Sequence, residues 1–212
     1  LLRRGGLDIY TTMDIKMQRV ADLATKTWAP PSDEKQLGAA SVSVQVGTGR
    51  ILALTQNRIY DQTDNETPGH TSVNYSADKN YGGSSGFQTG STYKIFTLAE
   101  WLSKGHKLLD RVDSRLREWD ATEFSSRCGS LVGTWAPGND SPAAEEMSAF
   151  DATVKSVNTA FADMASQLDL CDIRDTAQRF GVHRADGTEL LFYPSSILGI
   201  NEIAPLTMAA AV

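Results

Sequence analysis

The stretch from Phe87 to Thr97 contains the residue pair best suited to chemistry, because Ser91 lies three residues before Lys94. If a helix starts near Thr89, the hydroxyl and the amine lie one turn apart on the same face. A lysine held in a low-dielectric cleft can lose its proton and activate a serine hydroxyl as a nucleophile. The helix N-terminus would also favour a developing oxyanion near the backbone N–H of Ser91. The stretch therefore predicts Ser91 as nucleophile and Lys94 as general base.

A second candidate element is Ser156-Val157-Asn158, placed before an amphipathic helical pattern. A serine or asparagine there is commonly the helix N-cap. The alternative is that the junction projects both side chains into a cleft shared with Ser91 and Lys94. A second hydroxyl could then relay a proton, and the carboxamide of Asn158 could bind a substrate amide.

Neither string is specific alone. Ser32 and Lys35 have the same spacing as Ser91 and Lys94, in a polar stretch expected to be a solvated loop, and Ser72-Val73-Asn74 repeats the second tripeptide. The position of Ser156 at a helix junction favours the later copy of the tripeptide.

Composition excludes several classes of protein. The chain has 212 residues, 41% of them hydrophobic, which is typical of a globular protein. A net charge of -6 argues against nucleic acid as the main partner. No apolar run approaches the ~20 residues of a membrane span. The sequence begins without methionine, so we expect it to be part of a longer protein, with any membrane anchor outside it.

The chain contains two cysteines, Cys128 and Cys171, which are too few and too far apart for a convincing zinc site. Either they form a disulfide in an oxidising compartment or they are two free thiols. No pattern of residues indicates a metal site.

Periodicity predicts an α+β fold. A short strand at residues 5–12 and a helix from Met13 form a lead-in segment, residues 1–36, and residues 37–212 form the main domain. That domain opens with a β-hairpin (40–46 and 51–55). A long loop at 57–86 precedes the helix of Ser91. The other predicted helices span residues 143–154, 160–168, 172–180 and 205–212, and a loop covers 135–142.

The motifs Gly90–Lys94 and Ser156–Asn158 resemble the first two motifs of penicillin-binding proteins and serine β-lactamases. Three further segments resemble landmarks of class A, bifunctional penicillin-binding proteins, in the family order. Residues 6–18 resemble the lead-in between glycosyltransferase and transpeptidase modules, residues 39–53 the first hairpin of the central sheet, and residues 198–209 the helix-entry segment after the second motif.

This resemblance implies a β-lactamase/transpeptidase-like fold, a central antiparallel sheet flanked by helices, whose later strands are missing here. It implies a peptidoglycan D,D-transpeptidase in which Ser91 forms the acyl-enzyme, Lys94 is the base, Ser156 relays protons and Asn158 binds substrate. Thr89 replaces a usual proline. The third motif, Lys-Ser/Thr-Gly, is absent, so we expect an incomplete active site.

The resemblance also implies partners and location. These are stem peptides as donor and acceptor, β-lactam antibiotics, and a glycosyltransferase domain upstream, with no metal or organic cofactor. The expected location is the outer face of the bacterial cytoplasmic membrane, which permits a Cys128–Cys171 disulfide. The alternatives are a serine β-lactamase, disfavoured in its class A form by the lack of a Glu-x-x-x-Asn loop, and a non-catalytic β-lactam sensor or structural module.

Overall fold

The computed structural model describes residues 5–31, 34–63 and 66–212, which fall into two compact units, residues 1–84 and residues 85–212. The predicted boundary after residue 36 lies within the first unit and stays a prediction. The architecture is α+β, as predicted, and among the described residues the short strands pair in twos and form no closed barrel. None of the described helices is both long enough and apolar enough to cross a membrane.

The first unit contains one long helix, a hairpin and short elements. They are α1 (Ile15–Trp28), β1 (Ala40–Val44), β2 (Ile51–Gln56), β3 (Ile59–Tyr60), β4 (His70–Thr71) and α2 (Lys79–Gly82). The predicted hairpin is confirmed, since β1 pairs antiparallel with β2. β3 and β4 pair in parallel within the region predicted as a long loop.

The strand predicted at residues 5–12 is wrong, because no strand lies there. An alternation of apolar and polar residues does not by itself provide a neighbouring strand to pair with. The hydrogen bonds from this part of the chain to β2 come from its C-terminal end. Thr12 Oγ1 donates to the carbonyl of Ile51 at 2.7 Å, and the Asp14 N–H donates to the carbonyl of Leu52 at 2.9 Å. The Asp14 carboxylate then caps α1 by accepting from two backbone N–H groups.

Helix α1 contacts the hairpin through polar side chains. Gln18 bonds both the N–H and the carbonyl of Leu54, and the Asp22 carboxylate accepts from Thr55 Oγ1 at 2.7 Å. The apolar side chains of α1 point away: Val20 is 67% exposed and Leu23 70%. The period of the helix was predictable, but not the face it presents to the hairpin.

The second unit is mainly helical. Its elements are β5 (Phe87–Gln88), α3 (Lys94–Ser103), β6 (Arg111–Asp113), β7 (Trp119–Asp120), β8 (Thr134–Trp135), β9 (Glu146–Ser148), α4 (Ala149–Val154), α5 (Asn158–Ser166), α6 (Leu170–Arg179), β10 (Glu202–Ile203) and α7 (Pro205–Ala211). The helix predicted at residues 143–154 is shorter than expected, because its first part pairs with β6 as β9.

The core of this unit forms around α5, whose Phe161 and Met164 are fully buried and belong to the same cluster as Trp101 of α3. Small residues on α5 allow close packing. Burying aromatic and aliphatic side chains of this size contributes about 1.5–3 kcal/mol each. A buried carboxylate, Glu100 of α3, also accepts from Thr176 Oγ1 of α6. These contacts fix α3 and α5, the helices that begin at the two motifs.

Cys128 and Cys171 form a disulfide, with their Cα atoms 5.8 Å apart, which decides between the two alternatives left by the sequence. The bond joins the loop after Phe124 to the buried first turn of α6. Arg127, next to Cys128, also pairs with Asp172 at 2.9 Å.

We expect reduction of this disulfide to lower the free energy of unfolding by about 4 kcal/mol, the chain-entropy value for a loop of this length. The same loss is expected for Cys128→Ser combined with Cys171→Ser, measured by urea unfolding with and without reductant. The double variant should no longer respond to reductant. Equal stability of the oxidised and reduced proteins would contradict this expectation.

Candidate active site

Ser91 lies on a 3-10 turn, Gly90–Tyr93, that leads directly into α3 at Lys94. In a 3-10 turn the side chains at i and i+3 are eclipsed, so they align more closely than on an α-helix. The Lys94 N–H donates to the carbonyl of Ser91, which closes the turn. Ser91 is exposed, whereas Lys94 is only 4% exposed. The hydroxyl is therefore open to a ligand while the amine beneath it is enclosed.

The amine of Lys94 contacts the other three side chains predicted from the sequence. Its Nζ lies 3.1 Å from Ser91 Oγ, 2.9 Å from Ser156 Oγ and 2.6 Å from Asn158 Oδ1. It also donates to the backbone carbonyl of Ser156 at 2.6 Å. We call these four residues the Lys94 cluster. The structure brings together every candidate site residue that the motifs indicated.

Burial lowers the pKa of Lys94 to about 8, from an ordinary value near 10.5. The nearby Asp140 carboxylate acts in the opposite direction and raises this pKa. The ring of Phe161 lies 5.3 Å from Nζ and forms part of the apolar surroundings. A sizeable fraction of Lys94 is therefore neutral near pH 8, as a general base requires.

The hydrogen-bond partners of Lys94 can be satisfied by a neutral amine as well as by an ammonium. The Ser156 carbonyl and Asn158 Oδ1 can only accept, so they take the two N–H groups that a neutral amine has. Its lone pair is then left to accept from a hydroxyl. Ser91 Oγ, at 3.1 Å, is the hydroxyl whose loss of a proton would create a nucleophile.

Ser156 has a left-handed backbone, with φ of 54°, which is uncommon for a residue with a side chain. This conformation costs of order 1–3 kcal/mol and is found mainly at functional sites. Here it turns both the carbonyl and the hydroxyl of Ser156 toward Lys94. The N-cap of α5 is Val157, without a side-chain cap, so neither Ser156 nor Asn158 serves as the helix cap.

The loop at residues 135–142 holds the start of α5, a role that sequence reasoning missed. Asn158 Nδ2 donates to the carbonyl of Gly138 at 2.7 Å, which orients the amide so that Oδ1 faces Lys94. Asn139 Oδ1 accepts from the N–H of Thr159 at 3.1 Å, and Asn139 Nδ2 donates to Thr159 Oγ1 at 2.9 Å. The adjacent Gly138 and Asn139 were the sequence feature that could have pointed to this loop.

Gly199 is a second missed residue, and it contacts the turn that carries Ser91. The Gly90 N–H donates to the carbonyl of Gly199 at 3.2 Å. Gly199 has φ of 84°, and a Cβ there would collide with backbone atoms of Gly90 and lie 2.6 Å from Thr89 Oγ1. Only glycine allows the two segments to approach so closely.

Thr89 occupies the position where proline was expected. Its φ of -74° lies within the range that proline adopts, so the backbone of the turn does not depend on that difference. The competing strings lie elsewhere: Ser72-Val73-Asn74 belongs to the first unit, where Asn74 Oδ1 accepts from the Ser76 N–H, and Ser32 lies outside the described residues.

Comparisons with known proteins identify the family of the chain. A family profile described as "Penicillin binding protein transpeptidase domain" matches residues 39–211. No curated protein sequence matches the chain.

Among solved structures, the chain is similar to the penicillin-binding protein PonA1 of Mycobacterium tuberculosis, at 21% identity and a TM-score of 0.72. That match covers 99% of this chain and 49% of PonA1. The penicillin G acyl-enzyme complex of penicillin-binding protein A of M. tuberculosis matches at 20% identity and a TM-score of 0.71. That match covers 93% of this chain and 49% of the other. Penicillin-binding protein 1A of Haemophilus influenzae matches at 22% identity and a TM-score of 0.63. That match covers 82% of this chain and 22% of the other.

The chain spans about half the length of the PonA1 and penicillin-binding protein A structures. At these identities, the similarity to the solved structures shows a shared fold. The family profile is independent of them and covers most of the chain. The chain therefore belongs to the penicillin-binding protein transpeptidase domain family, as the resemblance of its motifs predicted.

Proposed function

We propose that this chain contributes the nucleophile, base and proton relay of a peptidoglycan D,D-transpeptidase. The observation that carries the proposal is the Lys94 cluster, in which a buried amine lies 3.1 Å from Ser91 Oγ and 2.9 Å from Ser156 Oγ. A serine with a neutral lysine in contact can attack a carbonyl without histidine. The family supports acyl transfer as the reaction type.

In the acylation step, neutral Lys94 takes the proton of Ser91 as Oγ attacks the penultimate D-alanine carbonyl of the stem peptide. The backbone N–H of Ser91 supplies one hydrogen bond to the developing oxyanion. When the intermediate collapses, the peptide C–N bond breaks and the leaving amine takes a proton from Lys94 through Ser156 Oγ. The products are an ester on Ser91 and free D-alanine.

Asn158 orients the substrate in this proposal. Its Oδ1 is committed to Lys94 at 2.6 Å and its Nδ2 to the Gly138 carbonyl at 2.7 Å. A substrate carbonyl would share Nδ2 with Gly138, so Asn158 would fix the position of the substrate relative to the base. The same pocket would accept β-lactams, whose strained amide mimics the terminal dipeptide. The penicillin G complex of penicillin-binding protein A, a protein of the same fold, supports this part.

We infer that the complete site needs further chain. The sequence has no Lys-Ser/Thr-Gly string, so the wall that binds the substrate carboxylate must come from elsewhere in the full-length protein. A glycosyltransferase module upstream and a position outside the cytoplasmic membrane complete the proposal. The disulfide supports this location, since such bonds persist in oxidising compartments.

The test is the intact mass of the full-length protein after incubation with penicillin, beside its Ser91→Ala variant. We expect a lasting adduct of one drug mass that Ser91→Ala abolishes. Drug consumption without a lasting adduct would indicate a β-lactamase instead. An absence of both adduct and consumption would contradict the catalytic proposal and leave a structural role.

A further inference from the structure

The first unit contains a groove of about 550 Å³ between α1, β2 and β3, and all of its lining residues belong to that unit. We call it the α1 groove. Its volume lies in the range of sites that bind small ligands. Apart from Leu54 and Ile59, every side chain that lines it carries a hydrogen-bonding or charged group. The wall therefore suits a ligand that is rich in polar groups.

The strand beside the groove does not offer its edge to a peptide. Binding by strand addition requires free backbone groups on an edge strand. At Leu54 of β2 these groups are taken, because Gln18 accepts from the N–H at 2.9 Å and donates to the carbonyl at 3.0 Å. The Gln56 side chain is also occupied, since it bonds the Val73 carbonyl and the Tyr75 N–H. Recognition in the α1 groove must therefore use side chains.

The charges on the wall favour an anion. Asp22 and Lys26 form an ion pair at 2.7 Å, and hydrogen bonds from Lys26 and Thr55 hold the pKa of Asp22 below its ordinary value, so these two charges cancel. Arg58 donates to the Gln36 carbonyl, and no carboxylate of the described part of the chain pairs with it. A guanidinium has five N–H donors, so most of them remain for a ligand. Its planar fork matches a carboxylate.

Two tyrosine rings complete the wall. Tyr60 is 54% exposed and Tyr81 86%, although both line the groove. The Tyr60 hydroxyl accepts from Gln62 Nε2 at 2.8 Å, which restrains that ring. Aromatic rings bury large apolar faces and carry a negative π surface, against which the C–H face of a sugar ring packs. Sugars combine such a face with a rim of hydroxyl groups, as this mixture of tyrosine, amide and charged side chains requires.

We propose that the α1 groove binds an acidic oligosaccharide. Arg58 holds a carboxylate of the sugar chain, Tyr60 and Tyr81 pack against its rings, and the amide of Asn74 is available to its hydroxyl groups. The inference goes beyond the proposed function, because it assigns a non-catalytic site that does not depend on Ser91. Two sources share this chemistry, the glycan strand of peptidoglycan and other acidic polysaccharides of a cell envelope.

The experiment measures binding of three tetrasaccharides by isothermal titration calorimetry. One alternates N-acetylglucosamine with N-acetylmuramic acid and has free carboxylates, the second is tetragalacturonic acid, and the third is neutral tetra-N-acetylchitotetraose. The protein is full-length and carries Ser91→Ala, so neither acylation nor turnover enters the measurement. A failure of the proposed function at Ser91 is therefore seen separately from a failure of this inference.

We expect an acidic tetrasaccharide to bind about tenfold more tightly than the neutral one, and Arg58→Gln to remove that difference. Tyr81→Ala should weaken binding of acidic and neutral chains alike by roughly fivefold, since ring packing does not depend on charge. Tyr81→Phe should bind like the parent protein. Arg50→Gln and Tyr10→Ala are the matched controls, because both side chains are exposed and lie outside the groove.

The outcomes separate the sources and the causes. Tighter binding of the muramic acid chain identifies the peptidoglycan glycan, and tighter binding of tetragalacturonic acid identifies another acidic polysaccharide. Saccharide sites elsewhere in the full-length protein would respond equally in every variant, so only the effects of Arg58 and Tyr81 count. If Arg58→Gln does not fold, Tyr81→Ala decides, because that ring is mostly exposed. Equal binding of acidic and neutral chains, or an affinity unchanged by Tyr81→Ala, would overturn the proposal.

Discussion

Acylation of Ser91 by penicillin should accelerate as pH rises and reach half of its maximal rate near pH 8, the pKa to which burial lowers Lys94. Lys94 acts as a base only when neutral. Below pH 8 its protonated fraction dominates, so each unit of pH should lower the rate about tenfold. Above pH 8 the rate should level off. Stopped-flow measurement with a fluorescent penicillin and the full-length protein checks this profile.

Lys94→Ala should lower the same rate by about 10³-fold, the usual contribution of a general base. Lys107→Ala, an exposed lysine beyond the end of α3, is the matched control and should leave rate and profile unchanged. Asp140→Asn should move the midpoint to lower pH, because the carboxylate raises the pKa of Lys94. A midpoint above pH 10 in wild type would contradict the assignment of Lys94 as the base.

The second large effect is expected from Gly199→Ala, which touches neither substrate nor base. The new Cβ would collide with the backbone of Gly90, and the positive φ of Gly199 would be strained as well. The turn carrying Ser91 must then move. Since a displacement of 1 Å can cost about 10²-fold in rate, we expect at least that loss of acylation. The rate with penicillin and the thermal unfolding midpoint are both measured.

The variant Gly187→Ala separates the effect of backbone strain from the effect of a steric collision of the new Cβ. Gly187 has a similar φ of 80°, but an added Cβ there would meet nothing within 4 Å. This variant should lose about 1 kcal/mol of stability from the backbone alone and keep its acylation rate. If the two variants lose acylation equally, the contact between Gly199 and Gly90 does not position Ser91.

The sequence predicted the parts of the site that depend on local geometry. Ser91 and Lys94 are three residues apart, and any helical turn brings such a pair together. Ser156 and Asn158 were predicted from their position at a helix junction and from the family resemblance. The hairpin followed from alternation and a glycine-rich turn. These inferences needed no knowledge of which helix packs against which.

The unpredicted parts depend on contacts between distant segments. Nothing local indicates that Asn139 bonds Thr159, or that Gly199 lies against Gly90. The inward face of α1 also escaped prediction, because its polar Gln18 bonds the edge of β2 while its apolar residues point outward. Hydrophobic periodicity identifies a helix, but the partners of its polar side chains decide how it is oriented.

The left-handed backbone of Ser156 has a consequence for engineering. Glycine is the residue best suited to that conformation, so selection for heat resistance alone would favour Ser156→Gly. The same substitution would delete the hydroxyl that lies 2.9 Å from Lys94. Stability and turnover are thus opposed at a single position, and a thermostable library drawn without a functional screen would be enriched in inactive members.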